Sequence, residues 1–212
     1  MSRGVASNQI PARKAEAVHV PVMLEEIISF LKPNIGGDIL DGTLGGGGHA
    51  HAVLEESDGK GRLMGLDRDA HALALSRTRL SSFFSRTVLV HSNFSRSKSA
   101  LQEAAWDGVD GVLLDLGFSS LQIEDAARGF SFNRSGPLDM RMNKDDPRTA
   151  MDILNSAAEA ELVDILRSFG EERAAKQISR SIVRARDDTP IRTTNELRRI
   201  VETAIGAAHR NR

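Results

Sequence analysis

One stretch of this 212-residue sequence is hard to explain without a ligand: Asp41-Gly42-Thr43-Leu44-Gly45-Gly46-Gly47-Gly48-His49. Four consecutive glycines strip every Cβ from a turn, at an entropic cost in the unfolded chain, and leave the backbone open to close approach. The turn follows a short apolar run and precedes a helical pattern, so the free N–H groups and positive end of that helix would face a bound molecule. No Gly-Lys-Ser/Thr follows, which argues against a P-loop. Gly45-x-Gly47-x-x-Ala50 fits the dinucleotide fingerprint, and Asp67 lies about 20 residues on, where an acid accepts hydrogen bonds from ribose hydroxyls. Two ligands remain, NAD and S-adenosyl-L-methionine. Asp41 precedes Gly45 by four residues, and an acid there suits a cationic amino-acid group and would repel a pyrophosphate. Asp115, at the end of a later apolar run, enters the same cleft. Both acids favour adenosylmethionine; an NAD-dependent oxidoreductase is the alternative.

A second concentration of chemistry runs from Leu114 to Met142. It is longer than ordinary sheet connections and carries acids, Gln122, arginines and aromatics together. At the C-terminal edge of a sheet, such a segment is where a substrate pocket belongs. A third is a row of cations, Arg173, Lys176, Arg180 and Arg184, spaced to share one helix face. That face either binds nucleic-acid phosphates or is simply solvated. The histidines lack metal-ligand spacing, and only His49, by its place in the loop, has a functional reading. No metal is expected. The absence of cysteine excludes disulfides, thiolate catalysis and Cys-ligated zinc.

The elements that must position these groups follow from periodicity. Val22–Leu31 reads as a helix stopped by Pro33. Strands are expected at Asp38–Asp41, Arg62–Asp67, Thr87–His91 and Val109–Leu116, and helices at His49–Glu56 and Ala70–Leu80. Ala72, Leu73, Leu75 and Leu80 are available to pack the latter. This alternation argues for βαβ units and a parallel sheet. After about Ser135 the pattern turns helical. Ser156-Ala157-Ala158-Glu159 reads as a capping box opening a helix that buries Leu162, Ile165, Leu166 and Phe169 and ends at Gly170. Glu171–Arg186 reads as the next helix, with Ile178 and Ile182 inward. Thr193-Thr194-Asn195-Glu196 is a second capping box, for a last helix to about Ile205. The expected organisation is a tail at 1–17, a ligand-binding sheet domain at 18–135 and a helical module at 136–212.

Net charge is −1, so no global field draws the chain to nucleic acid or membrane. The basic excess is local: residues 171–212 hold ten Lys/Arg against six Asp/Glu. No apolar run reaches the ~20 residues a membrane helix needs. The polar first 17 residues lack the apolar core of a secretory signal.

The sequence resembles the ribosomal RNA small subunit methyltransferase H family. The blocks that carry the resemblance run from about residue 18 to residue 204. They are His19 to Glu26, the loop Asp41 to His49, Gly65-Leu66-Asp67-Arg68-Asp69, Asn93-Phe94-Ser95, Leu113 to Gln122, Arg128-Gly129-Phe130-Ser131-Phe132, Pro137 to Met142 and Phe169 to Arg173. The resemblance implies a class I Rossmann-like methyltransferase sheet with an inserted helical substrate-recognition module. It implies transfer of a methyl group from adenosylmethionine to the N4 amine of a cytidine in the decoding region of 16S rRNA, on the small ribosomal subunit, in the cytoplasm. By position, Gly47, Gly48 and His49 would touch the cofactor, Asp67 its ribose and Phe94 its adenine, with Asp115 and Gln122 completing the site. Amino methyltransferases often carry Asp-Pro-Pro-aromatic where this chain has Asp115-Leu116-Gly117-Phe118. Asp115 would then hold the target amine, and Phe118 would stack on an extruded cytosine. Gly42 stands where the family usually has Ala, and Phe118 and Leu121 where Val and Pro are usual. The family's chains continue past the position of Arg212 into further strands, so the sheet is expected to be incomplete, with an exposed edge. A truncated RNA-binding fragment without catalysis is the remaining alternative.

Overall fold

The computed structural model describes residues 21–210. The expected tail and the His19-Val20 start of the first family block lie outside them. Three strands fall where the apolar runs place them: β1 (Asp38–Asp41), β2 (Arg62–Asp67) and β3 (Thr87–His91). The fourth, β4, covers only Gly111–Leu113, not Val109–Leu116. Among the described residues its ladder partner is β1 alone, whose last residue, Asp41, pairs with Leu113. Beyond that point Gly42 N–H still reaches Leu113 O (2.9 Å), but the Asp115 N–H turns to the Thr43 side chain instead of a strand.

All pairings are parallel and the order is β3-β2-β1-β4. Successive strands build outward from β1 in one direction until β4 crosses to its other side. That reversal opens a crevice beyond the carboxyl ends of β1 and β4, the usual ligand position in an open α/β sheet. Helices cover both faces. On one side Ile39 and Leu63 meet side chains from α1 (Leu24–Leu31), α2 (Gly48–Glu56) and α3 (Ala70–Arg79). On the other, Leu40, Met64 and Leu66 pack with Ala100 of α4 (Ser97–Glu103) and with Trp106. Ala72, Leu73 and Leu80 are buried as expected; Leu75 faces solvent. Val112 and Leu114 on and beside β4 are also exposed.

After α5 (Ser120–Glu124), four helices make a separate core: α6 (Ala150–Ser156), α7 (Glu159–Ser168), α8 (Ala175–Asp188) and α9 (Thr194–Arg210). Leu138, Leu162, Ile178, Ile182 and Ile191 are buried together there. Two expectations fail. Ser156 does not cap α7; its hydroxyl donates to Asp152 O at the end of α6, a helix missed in the sequence and opened by a Thr149/Asp152 capping box. Phe169 is 86% exposed, because α7 ends at Ser168 and Glu172 N–H closes onto Leu166 O. That turn, with Glu171 at φ 49, also delays α8 to Ala175. The second capping box is present: Glu196 Oε2 accepts from Thr193 N–H (3.0 Å), and Thr193 Oγ1 accepts from Glu196 N–H (3.2 Å).

Candidate functional site

The three acids at strand ends converge. Asp41 closes β1, Asp67 closes β2, and Asp115 follows β4 across the switch point. A cavity of about 230 Å³ opens between Asp67 and Asp115. Its lining includes Gly42, Thr43, Asp67, Phe94, Asp115, Phe118, Gln122 and Met142.

Asp41 does not itself line this cavity: it is only 1% exposed, and its chain neighbours Gly42 and Thr43 form the wall in its place. Its Oδ1 accepts from Thr43 N–H (3.1 Å), and its Oδ2 is buried with no partner. Burial pushes its carboxyl up to about 7; the Thr43 N–H pulls the other way, and the charges of Asp67 and Asp115 add to the rise. An unpartnered carboxylate oxygen is costly in a protein interior unless a cation or donor meets it. Asp67 is committed on both oxygens: Oδ2 accepts from Gly45 N–H (2.7 Å) and Oδ1 from Asp69 N–H (2.8 Å). Each oxygen keeps a second lone pair for a ligand hydroxyl. Asp115 is held by its backbone, whose N–H donates to Thr43 Oγ1 (2.6 Å), leaving the carboxylate exposed at the cavity.

Gln122 is more constrained than an isolated amide. Within the capping box of α5 its Oε1 accepts from Ser119 N–H (3.0 Å), while Nε2 donates to Asp69 Oδ2 (3.2 Å). Phe94 is partly exposed beside the cavity. Phe118 is 62% exposed, its ring 6.3 Å from that of Phe130, so it does not pack beneath the loop.

The glycine loop divides. A Cβ on Gly42 would lie 2.6 Å from a Leu114 methyl and 3.0 Å from the Phe94 Cβ, so the missing methyl lets those side chains close on the cavity. Gly45, at φ 53, brings its N–H to Asp67. Gly47 and Gly48 do not line the cavity. Gly47, at φ 75, caps α2 and sits against Ser76; a Cβ on Gly48 would strike Pro21 at 2.7 Å. His49 is also turned away: it is buried and its Nε2 pairs with Val22 O (2.9 Å). Two of the four glycines therefore serve helix packing at least as directly as ligand approach.

Several charges of the long segment and its surroundings are paired. Asp139 pairs with Arg141 (2.8 Å), and Arg68 with Asp146 (2.9 Å). Arg128 is buried against Asp69. Sequence alone assigns no individual role at this site to Thr43, Arg68, Asp69 or Arg128, which stand there only within the family blocks and, for Arg128, among the arginines of the long segment. Of the cation row, Lys176, Arg180 and Arg184 are exposed on α8, and Arg173 lies in the turn before it. Arg180 approaches Glu159 at 3.7 Å. Arg184 lines an open groove between α8 and α9 with Asp188 and Arg199, about 390 Å³ in volume and sharing no lining residue with the cavity at the strand ends. Among the described residues no cluster of His, Asp and Glu could hold a metal, and no helix is long and apolar enough to cross a membrane.

The family model described as "MraW methylase family" matches residues 16–212. The chain belongs to that family. Curated relatives agree with the MraW methylase match. The chain is 47% identical over 193 residues to the Ribosomal RNA small subunit methyltransferase H of Heliobacterium mobile, covering 91% of this chain and 62% of that protein. It is 49% identical over 191 residues to the protein of that name from Pelobacter propionicus, covering 90% and 61%. For the Geotalea uraniireducens protein the figures are 46% over 187 residues, 88% and 60%. The chain thus spans about 60% of the length of these relatives. The parallel sheet, its order and its two helical layers form a Rossmann-like architecture, consistent with the MraW methylase membership.

Proposed function

We propose that the chain binds S-adenosyl-L-methionine in the switch-point crevice and directs its methyl group to the N4 amine of a cytidine in the decoding region of 16S rRNA. The observation that supports this most is the buried, unpartnered Oδ2 of Asp41, the residue before Gly42 and Thr43 in the wall of a cavity that Asp67 and Asp115 also line. That donor set fits a cationic nucleoside and would repel the pyrophosphate of a dinucleotide. When bound, adenosylmethionine supplies an activated methyl group. Asp67 would receive the ribose hydroxyls on its remaining lone pairs, and Phe94 would lie along the adenine. Asp41 would face the ammonium group, and Gly45 and Gln122 would fix the surrounding loops. Gly47, Gly48 and His49 would act through the start of α2.

The cytosine amine is a poor nucleophile because its lone pair is delocalised into the ring. Holding it in line and accepting its hydrogens restores reactivity. Asp115 is placed for this, its backbone fixed by Thr43 and its carboxylate at the cavity. The exposed Phe118 ring offers a stacking surface for an extruded base. Replacing Phe118 with Val is expected to raise KM for the RNA by about tenfold, since a base–aromatic stack is worth ~1–3 kcal/mol. Steady-state methylation kinetics check this, and unchanged constants would remove Phe118 from the mechanism.

The exposed cations Arg173, Lys176, Arg180 and Arg184 would bind rRNA phosphates. Replacing all four with Ala should flatten the plot of log affinity against log salt by about 2–3 units, at ~0.7 per single-strand phosphate contact. Filter binding across salt concentrations measures the slope; an unaltered slope assigns the row to solvent. The direct test of the reaction is to incubate the chain with small ribosomal subunits lacking this modification and labelled adenosylmethionine, then map the product by mass. A label on a decoding-region cytidine N4 is expected. A label elsewhere contradicts the substrate assignment.

A further inference from the structure

Arg128 is 3% exposed, and the proposed chemistry does not use it. One guanidinium nitrogen donates to Asp69 Oδ2 at 2.5 Å. Another donates to Arg141 O (2.9 Å) and Met142 O (3.1 Å). Asp69 is itself tied to the crevice: its N–H donates to Asp67 Oδ1, its Oδ1 caps α3 at His71 N–H, and its Oδ2 also accepts from Gln122. Hydrogen bonds therefore run unbroken from Asp67, through Asp69 and Arg128, to the carbonyls of Arg141 and Met142. Met142 lines the cavity.

The backbone around Arg128 is built for the same contact. A Cβ on Gly129 would lie 2.3 Å from Pro137 O and 2.8 Å from Asp139 N, so only glycine lets the two segments cross. Met140 N–H donates to Arg128 O (3.0 Å) while Met140 holds φ 57, a conformation a non-glycine residue rarely adopts. A buried ion pair is a poor source of stability compared with an apolar pair of the same shape. Its convergent acceptors suit it better to fixing geometry.

We propose that Arg128 is a positioning residue that couples the Asp67 side of the crevice to the 137–142 segment, so that filling the crevice tightens the wall formed by Met142. This rests on the reading of the crevice as an adenosylmethionine site. Coupling of this kind is a free energy shared between two positions and must be measured as such.

The test compares the unaltered chain with Arg128→Met and with the double variant Asp69→Asn/Arg128→Met, which leaves no uncompensated buried charge. Hydrogen exchange is followed at the Met140 and Arg141 amides, which donate to Arg128 O and Asp139 Oδ1. It is measured with and without S-adenosylhomocysteine, alongside calorimetric affinity and thermal stability. In the unaltered chain the ligand should slow exchange of these amides by about tenfold, within the usual range of coupling. In the double variant thermal stability should return close to the unaltered value while that ligand-induced slowing is lost. A purely structural role would restore both, and would overturn the proposal. If S-adenosylhomocysteine does not bind the unaltered chain, the adenosylmethionine reading fails separately. The ligand-free comparison then decides: faster exchange at Met140 and Arg141 in the double variant, at a thermal stability close to that of the unaltered chain, supports the positioning role, and equal exchange overturns it.

Discussion

Asp67→Ala is expected to weaken adenosylmethionine binding by at least about a hundredfold while the chain stays folded. The carboxylate has two tasks at one point. It receives the N–H groups of Gly45 (2.7 Å) and Asp69 (2.8 Å), which set the glycine loop against the start of α3. It also presents its remaining lone pairs to the cavity. Hydrogen bonds to a charged acceptor are worth ~1.5–3 kcal/mol each, and two to the ribose would supply about 3–6 kcal/mol. Asp67→Asn keeps one acceptor oxygen and should lose less. Isothermal titration with S-adenosylhomocysteine on both variants measures the ratio, and circular dichroism verifies the fold. Affinity of folded Asp67→Ala within about threefold of the unaltered chain would place the ribose elsewhere; a hundredfold is ~2.7 kcal/mol.

The second large effect concerns Asp41 and pH. Burial, with Asp67 and Asp115 nearby, pushes its carboxyl up to about 7 in the folded chain, against an ordinary 3.8. The folded state therefore holds more protons than the unfolded state between these values, and stability falls as pH rises through that window. The stabilisation is fully present below pH 3.8 and lost once pH passes about 7. From pH 5 to 8 the loss is roughly 3 kcal/mol, at ~1.4 kcal/mol per pH unit. Asp41→Asn cannot ionise and should lack this component. Urea unfolding of both proteins at pH 5, 6, 7 and 8 isolates it, because the other titrating groups are common to the pair. The same carboxyl should link ligand binding to protons. A cationic group on Oδ2 favours the ionised form, so affinity should rise with pH up to about 7, with proton release on binding near pH 6. Parallel pH profiles for the two proteins would show that Asp41 is neither buried neutral nor a cation acceptor.

The sheet was readable because β1, β2 and β3 are apolar runs with ladder partners along their length, and periodicity reports burial. β4 is shorter than its apolar run suggests because Val112 and Leu114 look like a strand core while, among the described residues, β1 alone is there to hold them. Capping chemistry misled where two signals overlapped. Ser156 and Glu159 have the right spacing, yet Ser156 belongs to the preceding turn of α6, and the pair that opens a helix there is Thr149 and Asp152. The site was partly legible for the same kind of reason. Acids at strand ends can be placed from the strand pattern, so Asp41, Asp67 and Asp115 could be assigned to one crevice. The glycine run could not be partitioned, because the need for a missing Cβ at Gly47 or Gly48 depends on Ser76 and Pro21, which meet the loop only in three dimensions. Arg128 was hidden by distance: its partner Asp69 lies 59 residues away, and no local pattern signals a buried ion pair.

A cation-accepting nucleoside crevice beside Asp41, at the ends of β1 and β4, is what we propose. Its most direct test is calorimetric titration of this chain at neutral pH with S-adenosylhomocysteine and adenosylmethionine, with NAD as comparison. Saturable one-to-one binding of the two adenosyl ligands, lost in Asp67→Ala, and no heat from NAD are the expected results. Binding of NAD with equal or higher affinity, or no saturable heat from either adenosyl ligand, would contradict it.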